Sequence, residues 1–204
     1  MRLLLLRHGT TKAVKEQRFQ GLLDYPLSAE GIEEAKLLAK RLAEEKIDNI
    51  YCSPLQRARQ TALPIAESHC LPLLILKQLR EFSWGIMEGR RREDIEREFP
   101  AMAQALKKRG MRRTTVPGRE PYRYLRGRIR SALQEIIRKG TKQSTNVIVS
   151  HGLFLNAFLV EFLGLDFAQS WPFVFEPASL TVVEIDGLGR HRLRLFNDTC
   201  HLCK

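Results

Sequence analysis

Long apolar runs are missing from this chain: no stretch approaches the ~18 residues of a membrane-spanning helix. The N-terminal run Leu3–Leu6 ends at once in Arg7 and His8, too short for the core of a secretory leader. The expectation is therefore no membrane association and a reducing, cytoplasmic setting. Cysteine is scarce, with only Cys52, Cys70, Cys200 and Cys203. The last two form Cys200-His201-Leu202-Cys203, but a redox pair is expected to open a helix after a strand, and zinc needs a second ligand pair. Free thiols, with no metal and no cofactor, are the expectation. Acidic residues are also short, 23 against 34 basic, for a net charge of +11. Between Lys107 and Arg130 ten basic residues face one acid, Glu120, and the only aromatics are Tyr122 and Tyr124. That is too few for a stacking platform, so nucleic acid is disfavoured as a partner. The run reads as a solvated face that steers small anions towards a cleft.

What is present suits one domain spanning residues 1–204, with enough chain for a substantial core. Strand patterns fall at 2–6, 47–52, 73–76, 146–150, 179–186 and 191–196. Between most of them apolar residues recur at helical spacing. One helix follows Ser28 as N-cap through Ile32, Ala35, Ala39 and Leu42, and a second runs through Leu55, Ala58, Ala62 and Ile65. A third carries Tyr122, Leu125, Ile129, Leu133 and Ile136, with Pro121 expected in its first turn. Leu153–Leu163 is apolar almost all round and reads as a buried helix. Asp186-Gly187-Leu188-Gly189 marks a hairpin. The fold class is α/β: a three-layer α/β/α sandwich around a mostly parallel sheet. Residues of about 90–121 interrupt the alternation and are expected to form a small helical lid.

Two His-Gly dipeptides carry the functional signal. Arg7-His8-Gly9 follows Leu3–Leu6, and Ser150-His151-Gly152 follows Val147-Ile148-Val149. In an open parallel sheet, ligands sit beyond the carboxyl ends of the strands. Two such loops can place two imidazoles and Arg7 over one small anion. Arg57, at a helix start where a cation opposes the dipole, points to an anionic partner as well.

These and further elements resemble the histidine phosphatase superfamily, the phosphoglycerate mutase-like proteins. The matching pieces are Arg7-His8-Gly9-Thr10-Thr11, Arg18-Phe19-Gln20-Gly21, Pro26-Leu27-Ser28, Ser53-Pro54-Leu55-Gln56-Arg57-Ala58, Glu81 with Trp84-Gly85, Glu88-Gly89, Ser150-His151-Gly152 and Asn197-Asp198-Thr199 with His201-Leu202. The resemblance implies His8 as nucleophile, forming a phosphohistidine, and Glu81 of Leu79-Arg80-Glu81 as general acid. It makes His151 a third catalytic group, protonated on the bound anion. Arg7, Arg57, Gln20, Gly21 and Gly152 would bind phosphate. The physics agrees. A neutral nucleophilic imidazole needs an acceptor for its other N–H, such as a backbone carbonyl. Guanidinium forks match phosphate oxygens and can replace a metal ion. A neighbouring dianion favours a protonated carboxyl at Glu81. Glu88 is expected to be structural at the lid hinge, Arg59 a surface residue, and His69, His191 and His201 structural or exposed.

The pattern departs from its relatives at Val14, where many members have asparagine. Gln20 or Thr10 is then expected to supply the lost phosphate contact. Gly118-Arg119-Glu120-Pro121 also stands where the family has G-G-E-S. The expected function is a metal-independent phosphomonoesterase acting on a small phosphorylated metabolite. Chain size, Ser170-Trp171-Pro172-Phe173 and the closing hairpin look most like the α-ribazole phosphatase branch. The alternatives are a cofactor-dependent phosphoglycerate mutase, which keeps its phosphohistidine dry with extra chain that 204 residues scarcely allow, and a non-catalytic anion- or nucleic-acid-binding protein. A homodimer is left open.

Overall fold

A computed structural model describes residues 1–168 and 171–203. In chain order the elements are β1 (Arg2–Arg7), α1 (Lys12–Lys15), α2 (Ala29–Leu42), β2 (Asn49–Cys52), α3 (Gln56–Ser68), β3 (Leu73–Ile75), α4 (Arg92–Glu98), α5 (Pro100–Arg113), α6 (Tyr122–Lys139), β4 (Thr145–Ser150), α7 (Gly152–Phe162), β5 (Leu180–Ile185) and β6 (His191–Asp198). The six strands form one sheet in the order β3-β2-β4-β1-β5-β6. β3, β2, β4 and β1 run parallel, and β5 and β6 are antiparallel additions.

The leucine run explains the layering. Side chains alternate across a strand, so Leu3 and Leu5 pack with α6 and α7, while Leu4 and Leu6 pack with α2 and α3. All four leucines are buried. A central strand covered on both faces has no solvent-facing residue, which is why it reads as a continuous apolar run. α7 is sequestered in the first of these layers, as its apolar circumference requires.

Local signals hold with small shifts. The Ser28 hydroxyl accepts the Gly31 N–H at 3.2 Å as the N-cap of α2. Pro121 stands one position earlier than expected: it is the N-cap of α6, and its carbonyl accepts from Tyr124 and Leu125. The Asp186–Gly189 turn joins β5 to β6, with Gly189 N–H donating to the Asp186 carbonyl. The 90–121 segment is helical, comprising α4 and α5 over a small core of Met87, Ile95, Ala103 and Val116. Phe19 and Trp84 pack against that core.

The basic run is in part the solvated face expected, with Lys107, Lys108, Arg109, Arg113, Arg123 and Arg130 exposed, but several of its arginines are engaged. Arg128 forms a two-pronged pair with Glu120 at 2.7 and 2.9 Å, and donates to the carbonyls of Gln78, Arg80 and Glu81. Arg126 and Arg130 share Glu161, and Lys107 pairs with Glu96. Arg112 lies between the rings of Tyr122 and Trp171, 4.6 and 4.5 Å from their centroids. The planar guanidinium explains this: it satisfies several carbonyls at once and stacks on aromatic faces.

Candidate active site

The register of β1 against β4 creates the site. Arg7 pairs with Ser150, so two parallel neighbours release His8 and His151 at the same level. β2 lies on the other side of β4, and Ser53 leaves it beside them, its N–H bonded to the Val149 carbonyl. Three adjacent carboxyl ends thus converge. The rings of His8 and His151 lie 5.2 Å apart between centroids, tilted by 59°.

The network around His8 defines its tautomer. Nδ1 stands 2.7 Å from the Gly9 carbonyl, which only accepts, so Nδ1 carries the proton. Nε2 lies 3.2 Å from Arg57 Nε, which only donates, so Nε2 presents a lone pair. Burial, then Arg57 and Arg7, push the imidazole well below its ordinary 6.5 and hold it neutral. The loop bearing it is pinned elsewhere. Gly9 N–H donates to Thr61 Oγ1 at 3.0 Å, and the Glu34 carboxylate accepts the N–H and hydroxyl of Thr10 at 2.6 and 2.8 Å. Glycine is required at position 9 because a Cβ would fall 2.7 Å from the Gly31 carbonyl oxygen.

Arg57, in the first turn of α3, is fully buried without a carboxylate partner. Besides His8, it donates to the carbonyls of Leu23 (2.8 Å) and Gly21 (2.9 Å). Burial lowers its pKa, and that of Arg7, while Glu81 raises both. Arg7 Nη1 donates to the Phe175 carbonyl, whereas its buried Nε has no protein partner. His151 Nε2 contacts Ser53 Oγ at 2.7 Å, and its buried Nδ1 likewise lacks one. Two orphaned polar atoms around a histidine pair mark a place built for a ligand. His151 is expected to carry a proton only with an anion bound, and its own surroundings oppose that charge. Burial first, then Arg57, His8, Arg128 and Arg7, push it well below 6.5. An imidazolium there requires an anion to offset those cations.

Glu81 sits across the cleft at the N-terminus of α7. Its carboxylate accepts N–H groups from Phe82 (2.8 Å), Phe154 (2.9 Å) and Leu153 (3.3 Å). Helix donors that could have met an anion from solution are thus given to this side chain. Glu88 is structural, as expected: its Oε1 accepts from Ser83 Oγ and Trp84 N. It also buttresses Gly21, where φ is +53° and a Cβ would lie 2.2 Å from that same oxygen.

Arg7, His8, Gln20, Gly21, Glu81 and Gly152 all line one cleft of about 290 Å³. Arg57 and His151 both adjoin His8, the first through its Nε2 and the second ring to ring. Larger hollows, about 980 Å³ beside α2 and about 420 Å³ beside α4 and α5, hold neither paired imidazole. Of the two substitutes expected for the asparagine missing at Val14, Thr10 is committed to Glu34. Gln20 accepts the Thr11 hydroxyl through Oε1 at 2.9 Å, which leaves its amino group for the cleft. Arg59 is exposed. His69 bonds the Leu42 carbonyl, His191 stacks on Phe162, and His201 bonds the Ala178 carbonyl.

The sequence assigned no role to Ser53 or Arg18, though both stand in the matching pieces, and did not point to Glu34 or Asn156. Ser53 carried a signal, being the first residue beyond a buried strand. Asn156 carried none. It lies on α7, donates to the Trp171 carbonyl (2.9 Å) and accepts from Phe173 N–H (3.2 Å). It thereby ties down the 171–175 segment whose Phe175 carbonyl receives Arg7.

Known proteins are similar to this chain along nearly its whole length. The profile of the histidine phosphatase superfamily (branch 1) matches residues 3–199. Phosphoserine phosphatase 1 of Hydrogenobacter thermophilus is 33% identical over 202 residues, covering 99% of this chain and 94% of that protein. The α-ribazole phosphatase of Shigella flexneri superposes with a TM-score of 0.86 at 27% identity, over 97% of this chain and 96% of that one. Mycobacterial glucosyl-3-phosphoglycerate phosphatase, solved with VO3, gives 0.84 at 29% identity, over 97% and 99%. Relatives that differ in what they dephosphorylate agree on the class of chemistry, and the chain is a member of the histidine phosphatase superfamily, branch 1, and a phosphoric monoester hydrolase.

Proposed function

We propose that this chain is a metal-independent phosphomonoesterase that works through a phosphohistidine on His8. The observation that carries the reading is the state of His8: neutral, with Nδ1–H anchored on the Gly9 carbonyl and the Nε2 lone pair beside a buried guanidinium. Nε2 attacks phosphorus, the P–O ester bond breaks, and the leaving oxygen takes a proton from Glu81. Arg57 Nε already lies 3.2 Å from the attacking nitrogen, so it stands alongside the oxygens of any group bonded there. Arg7 Nε and His151 Nδ1 are both buried without a protein partner, and Nδ1 becomes a donor once the ring is protonated. The incoming dianion gives His151 its reason to take up a proton, with Ser53 Oγ accepting from Nε2–H. Charge is thus met by preorganised cations in a buried site. In the second half, Glu81 takes a proton from water, which attacks the phosphoryl group and releases His8.

The substrate is a small phosphorylated metabolite, and α-ribazole 5′-phosphate is the first candidate. The likeness in fold and the described Trp171-Pro172-Phe173 support it, while Ser170 of that segment lies outside the described residues. Phosphoserine and glucosyl-3-phosphoglycerate follow from the names of the relatives. The test is turnover of p-nitrophenyl phosphate and these esters in EDTA, with His8→Ala as control. Sustained turnover, lost at least about a thousandfold in the variant, is expected. Phosphorus NMR on 3-phosphoglycerate separates outcomes: inorganic phosphate supports hydrolysis, and 2-phosphoglycerate with none released makes the chain a mutase.

A further inference from the structure

His201 and Cys203 of the C-terminal Cys200-His201-Leu202-Cys203 line a groove beside α2, apart from the cleft that holds His8. Residues Cys200–Leu202 form one turn of 3-10 helix, closed by the Cys203 N–H on the Cys200 carbonyl at 3.2 Å. An i to i+3 bond of this kind keeps the two Cα atoms within ~7 Å, and side chains three apart eclipse on such a turn. A disulfide wants Cα atoms ~4.4–6.8 Å apart with converging Cβ vectors. Both thiols are exposed, whereas Cys52 is buried. The turn is anchored between them: His201 bonds the Ala178 carbonyl at 3.1 Å, and Ala178 N–H bonds the His8 carbonyl at 3.3 Å.

We propose that Cys200 and Cys203 are an exchange-active dithiol, closed to an intramolecular disulfide by a small disulfide such as oxidised glutathione. Cys203 is the attacking group. It lies in the groove beside α2 with Lys40, Arg41, Glu44, Glu45 and His201, whose two cations suit the carboxylates of glutathione. Asp198 pushes the Cys200 thiol up from its ordinary value, which keeps that sulfur protonated for the second step. The Cys203 thiolate attacks one glutathione sulfur, forms a mixed disulfide and expels one glutathione thiolate. Cys200 then loses its proton and attacks the Cys203 sulfur, expelling the second glutathione. Two protein thiols lose two hydrogens, and one disulfide becomes two thiols.

The experiment equilibrates the full chain in glutathione buffers of graded ratio, quenches with acid and weighs the C-terminal peptide. The expected result is loss of two hydrogens from that peptide, no retained glutathione, and full reversal by dithiothreitol. Cys200→Ser should trap glutathione on Cys203 and slow its release at least about tenfold. The reading is overturned if the wild-type peptide keeps both thiols in fully oxidised buffer, retains a glutathione adduct, or cross-links to Cys70 or another chain. Phosphatase turnover is not the readout, so the outcome is independent of the proposed mechanism.

Discussion

At the scale of single residues, the account depends on charge held out of water. His8 and His151 are neutral because desolvation and neighbouring guanidiniums oppose protonation. Above about pH 6.5 both are neutral in folded and unfolded chains alike, and they add no pH dependence. Below it, the unfolded chain binds protons that the native site refuses. Stability therefore falls with pH, by up to about 1.4 kcal/mol per unit for each imidazole, until the folded groups titrate. Denaturation between about pH 5 and 6.5 should show this slope, and a His8→Asn/His151→Asn double variant should flatten it. An unchanged slope would mean the histidines are not buried neutral.

Glu81 makes a separate residue-scale prediction. If it protonates the leaving oxygen, Glu81→Gln should lower kcat by about 10²–10⁴-fold for alkyl phosphates. The loss should be far smaller for p-nitrophenyl phosphate, whose leaving group needs no proton. Equal losses on both esters would assign Glu81 only to capping α7 and shaping the cleft. This pair of chemistries was visible in the sequence as histidine, arginine and glutamate in recognisable surroundings. The tautomer of His8 was foreseen from the need of an imidazole N–H for an acceptor. The neutral state of His151 was not, since it arises from four charged or polarisable neighbours brought together only by the fold.

At the scale of elements, the site depends on a parallel register and on a strap. The buried runs at 2–6 and 146–150 were legible because a strand covered on both faces must be apolar throughout. Their adjacency was not, because pairing leaves no local mark. Helix caps were visible to within a residue, with Pro121 displaced by one. The strap was hidden altogether: Asn156 looks like one polar interruption in an apolar helix, yet it holds Trp171 and Phe173. Asn156→Ala removes two hydrogen bonds and should cost about 1–3 kcal/mol of stability. It should also weaken phosphate binding, because Arg7 loses its fixed partner at Phe175. Titration with inorganic phosphate, alongside denaturation, checks both. A stability loss with unchanged phosphate affinity would detach the strap from Arg7.

At the scale of the whole molecule, the net charge of +11 acts beyond any one contact. Composition showed the excess but not its disposition. Much of the 107–130 run is engaged with Glu96, Glu120, Glu161, carbonyls or aromatic rings, so it contributes to architecture as well as field. Added salt should lower kcat/KM for anionic esters more than kcat, since screening over ~8–10 Å affects encounter before chemistry. A salt-independent ratio would remove steering. Fold class follows from the alternation of strands and helices, whereas the clustering of His8, His151 and Arg57 was expected from the two His-Gly loops and the family resemblance. The substrate follows from neither, because it depends on how side chains such as Arg18, Phe19, Leu153 and Val174, which the fold gathers along the cleft, meet the rest of the ester.

The most direct test of the central claim is rapid acid-free quenching of the enzyme during turnover, followed by mass analysis of its peptides. The account predicts one phosphoryl group on the peptide containing His8, labile to acid, formed in EDTA and absent in His8→Ala. Steady turnover with no phosphoryl group on that peptide at any time, or one carried by His151 instead, would contradict it.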